Sequence, residues 1–338
     1  MEIVRVDPFD EAAVAAWHAI VIAAEVLDRG DVRTSWTLEE TLVALQGDQS
    51  DRLRETFAGV EDGATVVAGQ CDLSFIDNLD HATLQVYTHP EHRRRGHGSA
   101  MLVHVEQVAR GHGRMVLDTL ADWPYSQAGD GSGVEAVEFL QRRGYRLGLG
   151  DVHRVLDLPV DVGLLDELAA EAAPHHTAYT VRTWIGPVPE EIVASFAALV
   201  ATLVVEAPTG DLEREPESAD VGALRRSEEM QAKQGRTTYN GAVLDAQGEV
   251  VAYSNLATSV HDPDNAYQWG TLVRRADRGH RLGLAVKVAT MRLLHAGEVR
   301  AKRMHTWNAE VNEHMIGINE RLGFQPVERS GEFQKILV

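Results

Sequence analysis

The spacing of apolar residues changes repeatedly along the chain, and each change marks an element. Val14, Trp17, Ile20, Val21 and Ala24 recur at helical intervals, so 10–27 is expected as an amphipathic helix after a short strand at 2–6. Thr37 followed three residues later by Glu40 has the form of a capping box and starts a second helix ending near Gln46. The polar stretch 51–58 reads as a partly helical approach to strands at 64–75 and 82–88. A basic turn punctuated by glycine, 92–98, opens a helix over 99–110. Strand 115–120, helix 134–143 and strand material at 145–158 follow.

The same order then restarts. A strand at 179–184 precedes a helix at 189–204 with Pro189 at its start, an acidic loop at 207–219 and a helix at 224–234. Strands at 238–244, 250–258 and 266–273, a turn at 274–282 and a helix at 283–295 come next. Strand 303–307, helix 311–321 and strands from Phe324 complete the block. Independent domains rarely share a whole element order, so duplication is the economical reading. The expected organisation is a first domain at 1–160, a linker at 161–177 and a second domain at 178–338, since 338 residues exceed what one core usually serves.

Composition narrows the partners. Fifty-one acidic residues against 32 basic ones give a formal charge of -19, which repels nucleic-acid phosphates and anionic membranes; the same field favours cationic or amine-bearing substrates, although solubility alone accounts for it more simply. The one cysteine, Cys71, excludes an intramolecular disulfide and lies in a strand-like stretch where a core role is expected. The start of the chain has no signal-like or spanning apolar run, so a cytoplasmic location is expected. The fifteen histidines show no HxxxH pair with a third ligand, so no metal is expected.

The sharpest chemistry-bearing motif is Arg93-Arg94-Arg95-Gly96-His97-Gly98-Ser99, placed after a strand and before a helix. Glycines let backbone N–H groups approach a phosphate, a helix N-terminus adds positive potential and arginines add charge-assisted hydrogen bonds. A solvated basic turn is the bland alternative. In the second block Val273 precedes Gly283 by the interval that separates Val86 from Gly96, a register that sets His280, Gly283 and Ala285 against Arg93, Gly96 and Gly98. Arg278, Arg281, Leu282 and Leu284 fill the same loop. Further on, Trp307, Asn308, Glu310 and Asn312 lead into a helix ending at Gly323-Phe324, while the first block ends its late helix at Gly144-Tyr145.

These motifs resemble the GNAT acetyltransferase superfamily, whose phosphate loop reads Arg or Gln, two residues, Gly, one residue, Gly or Ala. The resemblance covers most of both halves and is similar to an actinobacterial set of tandem GNAT proteins and to the mycothiol synthase arrangement, in which the C-terminal copy is catalytic. It implies an α/β (α+β) chain of two tandem GNAT folds, each a mixed, mostly antiparallel sheet flanked by helices. It further implies acetyl-CoA, or another short acyl-CoA, as co-substrate of an N-acyltransferase acting on a primary amine of a small molecule by direct attack, in a monomer or homodimer. The cofactor would lie along Val86, Tyr87 and Thr88 with Arg93–Ser99 in the first copy. In the second it would lie along Leu272, Val273, Arg278, His280–Ala285 and Asn312. Glu310 is a candidate base, with Glu206, Asp211 and Glu213 as acidic alternatives, and Tyr267, Trp269 and Trp307 are candidate lining for an acceptor. The Tyr acid of many GNAT enzymes is replaced by Leu140 and Asn319, which leaves open a non-catalytic acyl-CoA-binding sensor. A nucleotide phosphotransferase is disfavoured because no GxxxxGK[ST] sequence accompanies the loops.

Overall fold

The computed structural model describes residues 1–297 and 299–337. Glu298 and Val338, both inside the stretch expected as the second domain, lie outside the described residues. The chain forms two compact units, one built from Met1–Asp151, Gly210–Arg214 and the chain from Glu328 on, the other from Val152–Thr209 and Glu215–Val327.

The first unit opens with β1 (Glu2–Arg5), α1 (Glu11–Arg29) and α2 (Leu38–Gln46). Thr37 and Glu40 form the expected reciprocal capping box at the start of α2. Then come β2 (Arg52–Glu61), β3 (Ala64–Ser74), β4 (His81–Thr88), α3 (His97–Gly111), β5 (Val116–Pro124), α4 (Glu135–Gln141) and β6 (Arg146–Asp157). The polar stretch expected to be partly helical is therefore strand β2. Its charged residues are cross-strand partners: Arg54 is bidentate to Asp72 of β3, while Phe57 and Ala58 enter the core. Strands β1 to β4 pair antiparallel in sequence, whereas β4 and β5 pair parallel.

The second unit repeats this plan. After α5 (Val162–Ala172) it runs β7 (Thr180–Ile185), α6 (Val193–Val200), α7 (Leu203–Glu206), α8 (Val221–Lys233), β8 (Arg236–Leu244), β9 (Val250–Ser259) and β10 (Asn265–Val273). It ends with α9 (Leu282–Ala296), β11 (Arg303–Ala309), α10 (Glu313–Leu322) and β12 (Gln325–Ile336). Strands β7 to β10 are antiparallel neighbours, and β10 is parallel to β11. The stretch expected as a linker is helix α5, whose Leu165, Leu168 and Ala172 are buried in one cluster with Met291, Leu294 and Phe324.

The closing strands do not follow the sequential boundaries. The last strand of the chain, β12, pairs antiparallel with β5 from Glu328 to Ile336 and so completes the first unit's sheet. The end of β6, from Val152 onward, belongs to the second unit, where β6 neighbours β11. Cys71 is fully buried in the first core, where burial pushes its thiol up to about 12.

Candidate functional site

Each unit contains a fork. In the first, the parallel ladder of β4 and β5 runs from His81–Val116 to Thr83–Asp118 and stops, leaving Leu84–Thr88 bonded only to β3 among these neighbours. In the second, β10 and β11 pair from Asn265–Arg303 to Tyr267–His305 and stop, and β10 carries a bulge between Gln268 and Thr271. The strand edge beyond each fork leads directly to an uncapped helix N-terminus. Neither α3 nor α9 has a side-chain cap, and the first turn bonds run from Ala100 N–H to Gly96 O and from Ala285 N–H to Arg281 O, both 3.0 Å. The preceding N–H groups of both helices are thus placed for an anion.

The loops superpose in detail, two residues away from the register expected from the sequence. Arg93 Nε donates to Thr88 O and Arg278 Nε to Val273 O, both at 3.3 Å. Positive φ follows at Arg94 and Gly96 in one copy and at Gly279 and Arg281 in the other. Arg278, Arg281 and Gly283, rather than His280, Gly283 and Ala285, are therefore opposite Arg93, Gly96 and Gly98. The second copy keeps the loop arginine and lacks the first glycine, with Arg281 holding a left-handed conformation at φ 52°, a cost of about 1 kcal/mol for a residue with a Cβ.

The loop arginines are anchored. Arg93 is bidentate to Asp28 at the end of α1, and Arg278 pairs with Glu206 at the end of α7. Glu206 is accordingly an ion-pair partner of the loop. Arg94 pairs with Glu135, Arg95 donates to the Glu91 carbonyl, Ser99 accepts from Arg143, and Arg281 pairs with Glu171. His280 packs on the Tyr179 ring at 5.4 Å. Leu272, Leu282, Gly283, Leu284 and Ala285 are buried, so they can offer an anion backbone rather than side chains.

Beyond the fork the copies diverge. In the first, α1 spans the gap: Glu25 is hydrogen-bonded to Tyr87 of β4, and Arg29 pairs with Asp122 of β5, Glu328 of β12 and Glu25. Burial outweighs the attraction of Arg29 and raises the Glu25 pKa. Below it, Leu102 and Leu140 are buried among the core of α3 and α4. In the second copy the positions of those two leucines are Lys287 and Asn319. Lys287 Nζ donates to Asn319 Oδ1 at 2.6 Å, and Asn319 donates to Asn308 at the end of β11. Lys287 is 1% exposed, and desolvation lowers its pKa to about 7.

On the other face, Tyr267 and Trp307 are brought together around two histidines. His305 stacks on Tyr267 at 5.5 Å, His153 stacks on Trp307 at 4.5 Å, and His153 Nε2 lies 2.9 Å from His305 Nδ1. Tyr267 donates to Asp262, and His305 Nε2 meets Asn265 Oδ1 at 2.9 Å. Trp269 instead covers Arg236 at 5.5 Å. Glu310 is exposed in the turn before α10, and Asn312 caps that helix by accepting from Met315 N–H at 3.3 Å. Asp211 and Glu213 belong to the first unit, where Glu213 N–H donates to Gln334. Lys287, His305 and His153 were missed from the sequence. A lysine four residues inside an apolar helix was the available signal for the first, whereas His153 lies 152 residues from its partner and gave none. An open groove of about 370 Å³, lined by Leu158, Val160, Met291 and Met304 among others, shares no residue with either loop.

Residues 22–128 match the model of the Acetyltransferase (GNAT) family. A tandem GNAT protein from the clavulanic acid biosynthesis pathway is similar over 99% of this chain and 98% of its own, with a TM-score of 0.77 and 24% identity. The chain has the tandem GNAT fold. A GCN5-related N-acetyltransferase from Sphaerobacter thermophilus aligns with 99% of this chain and 95% of its own at 16% identity and a TM-score of 0.69. A putative acetyltransferase from Pyrococcus horikoshii covers 100% and 89% at 11% identity and a TM-score of 0.56. No curated protein sequence matches the chain. No helix among the described residues is long and apolar enough to cross a membrane.

Proposed function

We propose that the protein is an acyl-CoA-dependent N-acyltransferase that moves an acetyl or other short acyl group to a small-molecule amine, with chemistry in the second copy. The observation that carries the proposal is the fork at Tyr267–His305 opening toward the uncapped N-terminus of α9. The free strand edge of β10 can pair with the amide-bearing pantetheine arm, while the N–H groups of Leu282, Gly283 and Leu284 receive the pyrophosphate. The amine nitrogen attacks the thioester carbonyl carbon, the C–S bond breaks, sulfur leaves as thiolate, and the nitrogen gives its proton to solvent or a base. Holding the two reactants together supplies much of the acceleration, about 7 kcal/mol or more in favourable cases. The Lys287–Asn319–Asn308 chain gives this copy polar support where the first has leucine.

A second reading fits the first copy. Its fork is bridged by the Glu25–Arg29–Asp122 network, which favours acyl-CoA binding without turnover there. Calorimetry with acetyl-CoA, followed by a screen of amines for free-thiol release, tests both. Binding with thiol release supports the enzyme. Binding without release from any amine supports a sensor, and no binding overturns the assignment.

A further inference from the structure

In each copy the hairpin turn before the third strand faces the phosphate loop, and the side chains at matching positions differ in chemistry. In the second copy Arg274 holds Asp245, at the end of β8, and Asp277, in the turn before Arg278, at 3.1 and 2.5 Å, and the Tyr179 hydroxyl donates to Asp277 at 3.0 Å. In the first copy Glu61 stands opposite Asp245, His89 opposite Arg274 and His92 opposite Asp277. The guanidinium that neutralises the carboxylates is gone, and imidazoles stand in its place.

His97, the first residue of α3, completes the group. Its Nε2 is 3.5 Å from Glu61 Oε2, His92 Nδ1 is 4.0 Å from the same oxygen, and the three potential ligand atoms lie within 4.8 Å of one another. His97 is 6% exposed, and neither His97 Nε2 nor His92 Nδ1 has a hydrogen-bond partner. Of the three loop arginines, Arg93 is neutralised by Asp28 and Arg94 by Glu135, while Arg95 is exposed and turned to the Glu91 carbonyl. Two imidazole nitrogens and one carboxylate oxygen converging on a point are a donor set for a divalent first-row cation, with water in the fourth position.

We propose that Glu61, His92 and His97 bind Zn²⁺ and that the ion does for the first copy what Arg274 does for the second, tying the hairpin turn to the phosphate loop. Side-chain rotations that bring the ligand atoms to about 3.4 Å apart, the separation of neighbouring ligands around tetrahedral zinc, suffice. The proposal is independent of acyl transfer.

The test is calorimetric titration of the metal-stripped full chain with ZnCl₂, together with the visible spectrum of the Co²⁺ form. One equivalent of zinc should bind, the melting midpoint should rise on its addition, and Co²⁺ should give tetrahedral absorption bands. His92→Gln with His97→Gln should weaken binding at least about tenfold while melting like the metal-free wild type. Should that variant not fold, Glu61→Gln in the half-exposed turn gives the same reading. No uptake by the wild type, or equal uptake by the variants, overturns the site and leaves a histidine–carboxylate contact in its place.

Discussion

The two forks share a backbone and differ in what fills them. Both end a parallel ladder after three residue pairs, both turn through a loop whose arginine bonds back to the strand, and both open on an uncapped helix. The first is crossed by a charged network from α1 and floored by Leu102 and Leu140. The second replaces those leucines with a lysine and an asparagine at 1% and 0% exposure. Burying a lysine costs stability unless hydrogen-bonding partners or loss of its charge offset the desolvation. An apolar floor is the less costly solution, and its absence in the second copy supports the chemistry proposed there.

The largest effect is expected from cutting the chain between the copies. Residues 178–338 alone keep β12, which pairs with β5, and lose the end of β6 and helix α5, which belong to the second unit. This fragment should be insoluble or melt without cooperativity, whereas the two halves expressed together should recover a cooperative melt. A well-folded isolated fragment would show that the closing strands are dispensable.

Transplanting the first floor into the second copy comes next. Lys287→Leu with Asn319→Leu should lower any acyl transfer by about a hundredfold or more, a loss of the kind seen when positioned polar groups are removed, while leaving the fold intact. Asn319→Leu alone strands the buried amine and should cost about 2 kcal/mol in a urea melt, with part recovered in the double variant. Full activity in the double variant would make the polar chain a packing variation.

The same lysine predicts a pH signature. Its folded pKa is depressed from 10.5 to about 7, so between those values the unfolded chain holds a proton that the folded chain lacks. Stability should rise with pH through that window, by at most about 1.4 kcal/mol per pH unit, and the rise should vanish in the double leucine variant. In the first copy the sign is opposite. Burial lowers the pKa of His81, but the hydrogen bond and charge of Asp118, 2.8 Å away, raise it further, to a value above 6.5. The advantage of wild type over His81→Gln should be full below pH 6.5 and fade as pH climbs through the raised value, a smaller effect that urea melts from pH 5.5 to 9 would detect. A difference that does not change with pH would remove Asp118 as the cause.

Element order and the two loops were legible in the sequence because helical and strand periodicities are local, as the capping box of Thr37 and Glu40 shows. Strand β2 is not legible as a strand because its polar residues are satisfied across the sheet, Arg54 by Asp72 of β3 and Glu55 by Arg5 of β1, partners that local sequence does not name. The loop register slipped by two because Arg281 occupies a left-handed position where a glycine was sought. The exchange of closing strands, the His153–His305 pair and the Lys287–Asn319 bond all join residues distant in sequence, and no local pattern encodes them. At Asn312 the local rule was the better guide: an Asn before a helix is a cap, and there it caps.

Chemistry at the second fork is probed by comparing Gly98→Glu with Gly283→Glu, equivalent positions at which a carboxylate would enter the anion cradle of one copy only. A Cβ at Gly283 would meet Val273 and Ile318 at 3.5 and 3.6 Å, ordinary contact, while one at Gly98 would press on the Thr88 hydroxyl at 2.9 Å. With acyl transfer followed by free-thiol release and folding checked by melting, Gly283→Glu should abolish turnover and Gly98→Glu should leave it in place. Loss in Gly98→Glu with retention in Gly283→Glu would contradict chemistry at the second fork and move the active site to the first copy.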